Sequence, residues 1–576
     1  MIKGFLTWLE RRDWDEGATL MMFGALIGLA GGLSVVAFYR LIDLAHFALI
    51  RWPAARLPVP GQAVYLPLLT AIGVWSAWFV VYRTRIPDGQ NVPDVQLAVA
   101  KRDGEIRVRP VAVRTVASAL TLGSGASAGS EGPVAVLGAT LGSLVGRKLR
   151  FQPRHLKILV GCGAAAGIAG AFNAPFAGAF FALEEVLGSF SIGAFSPVVI
   201  ASVVGALTVR PFLGSQPIFE SRVPVSARPA EILLFPILGI ACGLVSALYA
   251  RLYLGAIALG KRVRGPRWLW PILAGAATGL IVAASRGLLA GNGHLAIPEP
   301  IFGNLAWYVL LAIAAAKILA TVITLGFGGS GGVFTPTLFI GAALGAGLGV
   351  LGRDLFPTLI HARAWAFVGM AGLVAGATRA PLTAIFMVFE MTDDYTYVLP
   401  LMIVAVIAFA TARRFAAHGL YDGWLAMRGE HIGHGVDRAV MDRTHVADAL
   451  DRDVRPVPPD ASIDDLVAAA ATTRHGVLPV VADDGTLVGV VTHHALRSAL
   501  VARNELDSLI VAADLAEPTD ALAPRDSLRR ALAAMNARGL DALPVIQPED
   551  GVDAFVGLLS RHDVLVAYEQ TIARAV

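Results

Sequence analysis

The chain carries two copies of one apolar unit, and this duplication limits what it can fold into more than any other feature. Gly125–Gly142 reads GASAGSEGPVAVLGATLG, and Gly328–Gly345 reads GGSGGVFTPTLFIGAALG. The segments lie 203 positions apart and agree at eight of eighteen positions, four of them glycine in a Gly-rich chain. A second pair lies 206 apart: Asn173–Glu185, NAPFAGAFFALEE, against Arg379–Met391, RAPLTAIFMVFEM. It shares Ala-Pro and one glutamate, Glu184 with Glu390. Two motifs in the same order at nearly the same offset predict an internal duplication.

Both copies lie in membrane-like sequence. Of 576 residues, 56% are hydrophobic and only 16% charged, against about 25% charged in soluble domains. Apolar runs follow almost without a break from Gly17 to Ala412, clearest at 17–39, 64–82, 231–258, 268–285 and 304–325. Others, at 111–147, 155–189, 331–352 and 364–390, are short or broken by Gly and Pro. Such interrupted segments mark transporters built from discontinuous helices, with substrate held at the interface of the repeats. The expected partner is a lipid bilayer. A net charge of +4 gives no reason to expect nucleic acid, and two cysteines, Cys162 and Cys242, cannot form a disulfide framework or a metal cluster. The N-terminus does not read as a signal peptide. Ile2, Phe5, Leu6 and Leu9 share a helical face that suits an interfacial helix, and Arg11 and Arg12 favour a cytoplasmic N-terminus.

Glu131 is the residue to explain. It stands among Gly129, Ser130, Gly132 and Pro133, with Pro133 expected to open an apolar helix. The carboxylate would then sit just before a helix N-terminus, among free N–H groups and a positive dipole end, which together make an anion site. An ionisable residue in irregular intramembrane backbone is a functional candidate; a wet surface loop is the plain alternative. The duplication sets Phe334–Pro336 opposite Glu131–Pro133, so that two helix N-termini would meet at one point.

After Arg428 the character changes. Residues 429–445 are polar, with His431 and His434, and read as a linker. From there to the C-terminus the chain alternates helix and strand. Ser462-Ile-Asp-Asp465 is a capping box; Val477–Val481 and Thr486–Thr492 read as strands around a turn at Asp483-Asp484-Gly485. The pattern returns as a helix from Ser527 and strands at Leu543–Ile546 and Phe555–Ser560. Leu478-Pro-Val480 recurs as Leu543-Pro-Val545, and Gly489-Val-Val-Thr492 as Gly557-Leu-Leu-Ser560.

On these residues the sequence resembles the CLC family of chloride channels and anion/proton exchangers, with a C-terminal pair of CBS domains, over essentially the whole chain. Gly129-Ser-Glu-Gly-Pro133 is similar to the family's G-[KR]-E-G-P, Gly332-Val-Phe-Thr-Pro336 to G-x-F-x-P, and Leu420-Tyr421 to the segment with the anion-binding tyrosine. The fold implied is an all-α polytopic membrane protein with inverted internal repeats and broken helices, then a soluble α/β CBS pair. The expected division is 1–428 membrane domain, 429–445 linker, 446–505 first CBS domain and 506–576 second. The resemblance further implies a homodimer in the cell membrane with cytoplasmic termini. It makes Glu131 the outer gate and Glu185 the inner proton-transfer glutamate. The anion would be held by backbone at Gly332, Val333 and Phe334 and by the Tyr421 hydroxyl. A carboxylate gate acts as a switch: charged, it occupies the anion site; protonated, it swings out. A solvated carboxylate is the plain alternative for Glu185, and an interfacial aromatic anchor for Tyr421.

The chain departs from the family in two places. The first anion motif, G-S-G-x-P, stands here as Gly89-Gln90-Asn91-Val92-Pro93. Amides at Gln90 and Asn91 can still donate to an anion, with different size and geometry, which leaves the choice among chloride, nitrate, bicarbonate and fluoride open. The basic residue before the gate is Ser130. In the CBS pair the ribose pattern G-h-h-[ST]-x-x-D is intact at Ser560 and Asp563, whereas the first copy, at Thr492, ends in Ala495. One adenine-nucleotide site is therefore the expectation, no cofactor is required, and a purely structural pair accounts for the same residues.

The reading is a transporter rather than an enzyme: a voltage- or pH-influenced, proton-coupled exchanger of chloride or another small anion. A passive channel of the same fold is the alternative. An intramembrane serine protease, suggested by G-x-S-x-G at Gly125–Gly129, is weakened because Gly328–Gly332 repeats it. A CBS-regulated cation transporter would need acidic residues along its path.

Overall fold

The computed structural model describes residues 16–54, 56, 62–86, 91–214, 229–263, 265–292, 305–357, 360–430, 441, 444–501, 510–549 and 552–575. The N-terminal segment read as an interfacial helix, Gln90, and most of the linker with its histidines lie outside them. The chain separates into two compact units, Met1–Ile432 and Gly433–Val576.

The first unit is helical. Its main helices are α1 Glu16–His46, α2 Gln62–Thr84, α3 Val92–Lys101, α4 Val108–Gly123, α5 Glu131–Lys148, α6 Pro153–Phe172, α7 Pro175–Phe181 and α8 Ile192–Leu213. The second half continues with α9 Phe235–Arg262, α10 Leu269–Ala284, α11 Trp307–Gly326, α12 Phe334–Leu355, α13 Ala362–Thr378, α14 Pro381–Thr392, α15 Val398–Phe415 and α16 Leu420–Ala426. Among the described residues, eight helical stretches are long and apolar enough to cross a membrane. Several others are too short for this, as the broken runs predict.

The repeat is carried into the fold. Helices α5, α6 and α7 correspond to α12, α13 and α14, with starts 203 and 206 apart at Glu131/Phe334 and Pro175/Pro381. Both middle helices end on a left-handed residue, Asn173 (φ 53°) and Arg379 (φ 69°), and both third helices open on proline. Helix pairs pack through glycine at equivalent places. A Cβ on Gly138 or Gly163 would overlap the other's carbonyl, and Gly341 and Gly369 oppose each other in the same way. Close backbone approach is how membrane helices gain packing without a hydrophobic drive between them.

Contacts between the repeats are reciprocal. Gly129 and Gly332, equivalent by the 203 offset, exchange both backbone hydrogen bonds at 2.8 and 2.7 Å. Ser127 meets Thr321 at 2.9 Å, and their equivalents Ser330 and Ser118 meet at 3.0 Å. Glu390 accepts from the N–H groups of Phe176 and Ala177 at 2.9 and 2.8 Å; Glu184 accepts from their equivalents Leu382 and Thr383 at 3.1 and 2.7 Å. Phe180 and Phe386, 206 apart, stack at 4.2 Å with planes 1° from parallel. Each residue meeting its partner's equivalent is what a two-fold relation between halves requires.

The second unit holds two similar halves. In the first, α17 Ile463–Thr472 precedes β1 Val477–Val481 and β2 Leu487–Thr492, an antiparallel pair, and then α18 His493–Val501. In the second, α19 Leu528–Arg538 precedes antiparallel β3 Ala542–Glu549 and β4 Val552–Ser560, then α20 Arg561–Ala575. Each hairpin bulges at the same place, Val480/Val481 and Val545/Ile546. Gly489 and Gly557 are needed where strands cross: a Cβ on Gly489 would press the Glu517 carbonyl, and one on Gly557 the Asp451 carbonyl.

Candidate functional site

The site forms where α5 and α12 begin. Helix α5 starts on Glu131 itself, with Ser130 at the N-cap and Pro133 inside the first turn. The sequence expectation put Glu131 one step outside. The difference is small because the first four N–H groups of a helix lack partners, so proline is tolerated throughout that turn. Glu131 is 1% exposed. Its carboxylate crosses to the opposite repeat, accepting from Phe334 N at 2.6 Å and from Thr335 Oγ1 at 2.6 Å. The carboxylate of one repeat thus sits on the helix N-terminus of the other, a place suited to any anion.

The expected anion-holding residues separate in their roles. Phe334 N is the donor that binds Glu131, and its ring packs near Phe172 and Phe181 at 6.1 and 6.5 Å. Gly332 N–H, expected to face an anion, instead donates to the Gly129 carbonyl, because the two repeats are stitched together there. Val333 is the N-cap of α12 and buried. Tyr421, 6% exposed in the first turn of α16, lies within electrostatic reach of Glu131, Glu185, Tyr249 and Tyr253. Asn91 caps α3, and its N–H donates to Asp94 Oδ2 at 3.2 Å.

Glu185 is 5% exposed, which sets aside the solvated reading. It lies in a π-helical turn, Ala182–Leu187, that prolongs α7, while the equivalent stretch of α14 stays α-helical. Such turns often mark functional places. The Gln96 amide on α3 donates 2.8 Å bonds to both the Glu185 carboxylate and its backbone carbonyl. Gln96, Thr335, Tyr249 and Tyr253 went unnoticed in the sequence. Gln96 does lie five residues beyond Asn91 on one short helix, and only that spacing hinted at it.

Two cavities approach this region. One, about 720 Å³, is lined by Tyr39, Asp43, His46, Arg210 and Asn292 among others. The other, about 710 Å³, is lined by Asn91, Arg85, Arg114, Lys261, Arg267 and Ser330 among others, with four basic residues and no carboxylate among the described residues. Leu122 and Gly125 line the first, and their equivalents Leu325 and Gly328 line the second, so the cavities are counterparts under the repeat. Glu131 lines neither. Ser127 of the G-x-S-x-G motif bonds Thr321 and has no histidine partner among the described residues, which removes the structural basis for a protease.

In the second unit Ser560 and Asp563 form a capping box. Asp563 Oδ2 accepts from Ser560 N and Oγ at 3.0 and 2.6 Å, and Asp563 N donates to Ser560 Oγ at 3.2 Å. Thr492 Oγ1 accepts from Ala495 N at 3.1 Å at the equivalent strand-to-helix turn.

A membrane-embedded helical protein with inverted repeats and a carboxylate seated across their opposed helix N-termini belongs to the class of two-fold repeat anion transporters. The chain is a member of the voltage gated chloride channel family, whose model matches residues 72–413, and it carries CBS domains at 446–502 and 513–570. It is 34% identical over 426 residues to a ClcB-like chloride channel protein of Ralstonia nicotianae, covering 71% of this chain and 96% of that one. It is 30% identical over 428 residues to the H(+)/Cl(-) exchange transporter ClcA of Yersinia pestis, covering 71% and 87%. Among solved structures, a slow cyanobacterial Cl-/H+ antiporter matches at 25% identity and a TM-score of 0.63, over 71% of this chain and 97% of that one. A eukaryotic CLC transporter shares the fold at 19% identity and a TM-score of 0.61, over 94% and 97%. The protein is an integral membrane protein of this transporter family.

Proposed function

We propose that the protein exchanges chloride for protons across the membrane, with Glu131 as gate and Glu185 as second proton carrier. The seat of Glu131 carries this reading. Ionised, its carboxylate takes the Phe334 N–H and the Thr335 hydroxyl, so an anion and a charged Glu131 compete for one place. Protonated, it gives up its charge and its hold on the helix N-terminus, and an anion replaces it. Anion binding and Glu131 protonation are thereby linked. Glu185, buried and held by Gln96, supplies a proton stop on the Asn91 side. Tyr421, buried in the first turn of α16, would offer its hydroxyl to the same anion. ClcA relatives, described as H(+)/Cl(-) exchange transporters, support the same reading.

The test is proton movement in liposomes driven by a chloride gradient with the voltage clamped. The parent should move protons uphill, and Glu131→Gln and Glu185→Gln should each lose this. Chloride flux without protons in the parent would establish the channel reading instead. The same assay with nitrate, bicarbonate and fluoride decides the anion preferred at Gln90 and Asn91. We further infer a homodimer with both termini cytoplasmic, and a CBS pair that takes at most one adenine nucleotide, at Ser560 and Asp563 with Thr492 at the counterpart turn. The capping box favours a structural role for Ser560 and Asp563 as the second reading.

A further inference from the structure

The residue before the gate breaks the repeat symmetry as sharply as the gate does. Ser130 and Glu131 stand where the other half has Val333 and Phe334. Ser130 is 2% exposed, so its hydroxyl needs partners, and it finds them on two distant elements. Asn292 Nδ2 donates to Ser130 Oγ at 2.9 Å. Tyr39 OH, on α1, lies 3.2 Å from the same oxygen and donates to the Ala171 carbonyl at the end of α6, 3.5 Å away. One proton arrangement satisfies the chain: the Asn292 amide to Ser130, Ser130 to Tyr39, Tyr39 to Ala171.

Asn292 is itself held. Its neighbour Gly291 donates to the Gly125 carbonyl at 3.1 Å, at the start of the loop that ends on Ser130. The Lys317 ammonium, fully buried on α11, donates to the carbonyls of Gly291 and Leu289 at 2.9 and 3.0 Å. An amine buried in a membrane protein against carbonyls, with its carbon stem inside the core, is a costly way to hold a turn. Its effect is to fix the strand of chain that presents Asn292 to Ser130. Lys317 is also the repeat equivalent of Arg114, 203 positions before it, which lines the other cavity.

We propose that Tyr39, Ser130 and Asn292 form an uncharged latch on the turn carrying Glu131, anchored by Lys317, that keeps the gate seated on α12 until it is protonated. This rests on the reading of Glu131 as the gate. With the Ser130 end of the turn clamped, Glu131 can leave Phe334 and Thr335 only by rotating its own side chain. With the clamp removed, the turn keeps its Gly129–Gly332 stitch but can pivot about it, and the charged carboxylate can vacate the anion place without taking a proton. The groups that titrate or carry charge around the latch are Glu131, Tyr39, Asp43 and His46 of α1, Arg210 of α8 and Lys317 of α11. Tyr39, Asn292, Asp43, His46 and Arg210 line one cavity, so the latch faces the side from which that cavity opens.

The test compares Ser130→Ala, Ser130→Thr, Tyr39→Phe and Asn292→Ala with the parent, in liposomes holding the full-length protein. Chloride moved per proton and the dependence of flux on pH are both recorded. Losing one hydrogen bond of ordinary strength should raise chloride moved per proton about fivefold and flatten the pH dependence in the Ala and Phe variants. Ser130→Thr, which keeps the hydroxyl, should restore parental values. In a Glu131→Gln background the same substitutions should change neither quantity. Parental coupling and pH profile in both Tyr39→Phe and Asn292→Ala would overturn the latch while leaving the gate standing. If Glu131→Gln itself left coupling and pH dependence unchanged, the gate would fall and the latch with it. Tyr39→Phe removes one hydroxyl without opening a void, so it serves where Ser130→Ala does not fold.

Discussion

At residues 131 and 334 the two repeats differ in one decisive way: one offers a carboxylate and the other a bare helix N-terminus with a hydroxyl beside it. The Glu131 side chain bridges them with two 2.6 Å bonds. Glu185 has a different anchor, since Gln96 supplies the donor that holds its carboxylate. Gln96→Leu should lower proton flux about tenfold with chloride flux largely kept, since a buried charged acceptor loses its donor. An unchanged proton-to-chloride ratio in liposomes would remove Gln96 from the relay. In the second unit Asp451 accepts from His475 at 2.8 Å and from Arg474 at 2.6 Å. Burial would raise its carboxyl, but the hydrogen bonds from His475 and Arg474 outweigh that and hold it below its usual value. A depressed folded value means the stabilisation is present at neutral pH and lost as pH falls through it. Protection of the β4 amides in hydrogen exchange should therefore stay level from neutral pH to about pH 5 and weaken below about pH 4. Asp451→Asn should lower protection at neutral pH and flatten that acid limb. An acid limb as steep as the parent's would show that another group controls it.

Helix ends do much of the work at the next scale. Glu184 and Glu390 each cap the other repeat's short helix, satisfying N–H groups that α7 and α14 cannot pair internally. The match is not complete, because Glu184 also accepts from Thr383 Oγ1 at 2.7 Å, where the equivalent Ala177 has no hydroxyl. Glu184→Gln and Glu390→Gln should each remove about 0.5–2 kcal/mol of stability, with the larger loss in melting temperature of the purified protein for Glu184→Gln. Their functional effects should differ. Glu184 adjoins Glu185 in the π-helical turn, so its substitution should also disturb proton flux, whereas Glu390→Gln should leave coupling at the parental value. A Glu390 variant with the larger coupling defect would argue against Glu185 as the proton carrier.

For the whole molecule, each hydrophobic cluster among the described residues belongs to one unit alone: the largest is spread through α3 to α16 in the first, and in the second each half has its own, with a smaller one of Val477, Val490, Ala542 and Leu558 joining the halves. A chain ending at Glu430 should therefore still exchange chloride for protons in liposomes. An adenine nucleotide should raise the melting temperature of the full chain if Asp563 serves a ligand, and Asp563→Ala should abolish that rise. No rise in the parent would leave Ser560 and Asp563 as a helix cap. Loss of all transport in the shortened chain would mean that the soluble unit is required for the membrane unit to work.

The duplication, the broken helices, the tandem repeat of the C-terminal unit and Glu131 as a candidate were legible in the sequence, because each is written in local signals: glycine and proline spacing, apolar period, and a carboxylate where lipid-like sequence should exclude one. Glu185 was singled out by the resemblance to the family. Glu184 and Glu390 could even be paired by offset. What each carboxylate meets was not legible. Glu131 meets Phe334 and Thr335 some 203 positions away, Glu185 meets Gln96 from 89 positions before it, and Ser130 meets Tyr39 and Asn292 from both directions. Phe334, Thr335 and Asn292 are chosen as partners by how the two halves pack, and the sequence of either half alone does not contain that choice. Gln96 and Tyr39 lie in the same half as the residues they meet, and it is the packing of α3 on α7 and of α1 beside α5 that brings them there. Local chemistry decided which residues are able to act; tertiary packing decided which of them touch.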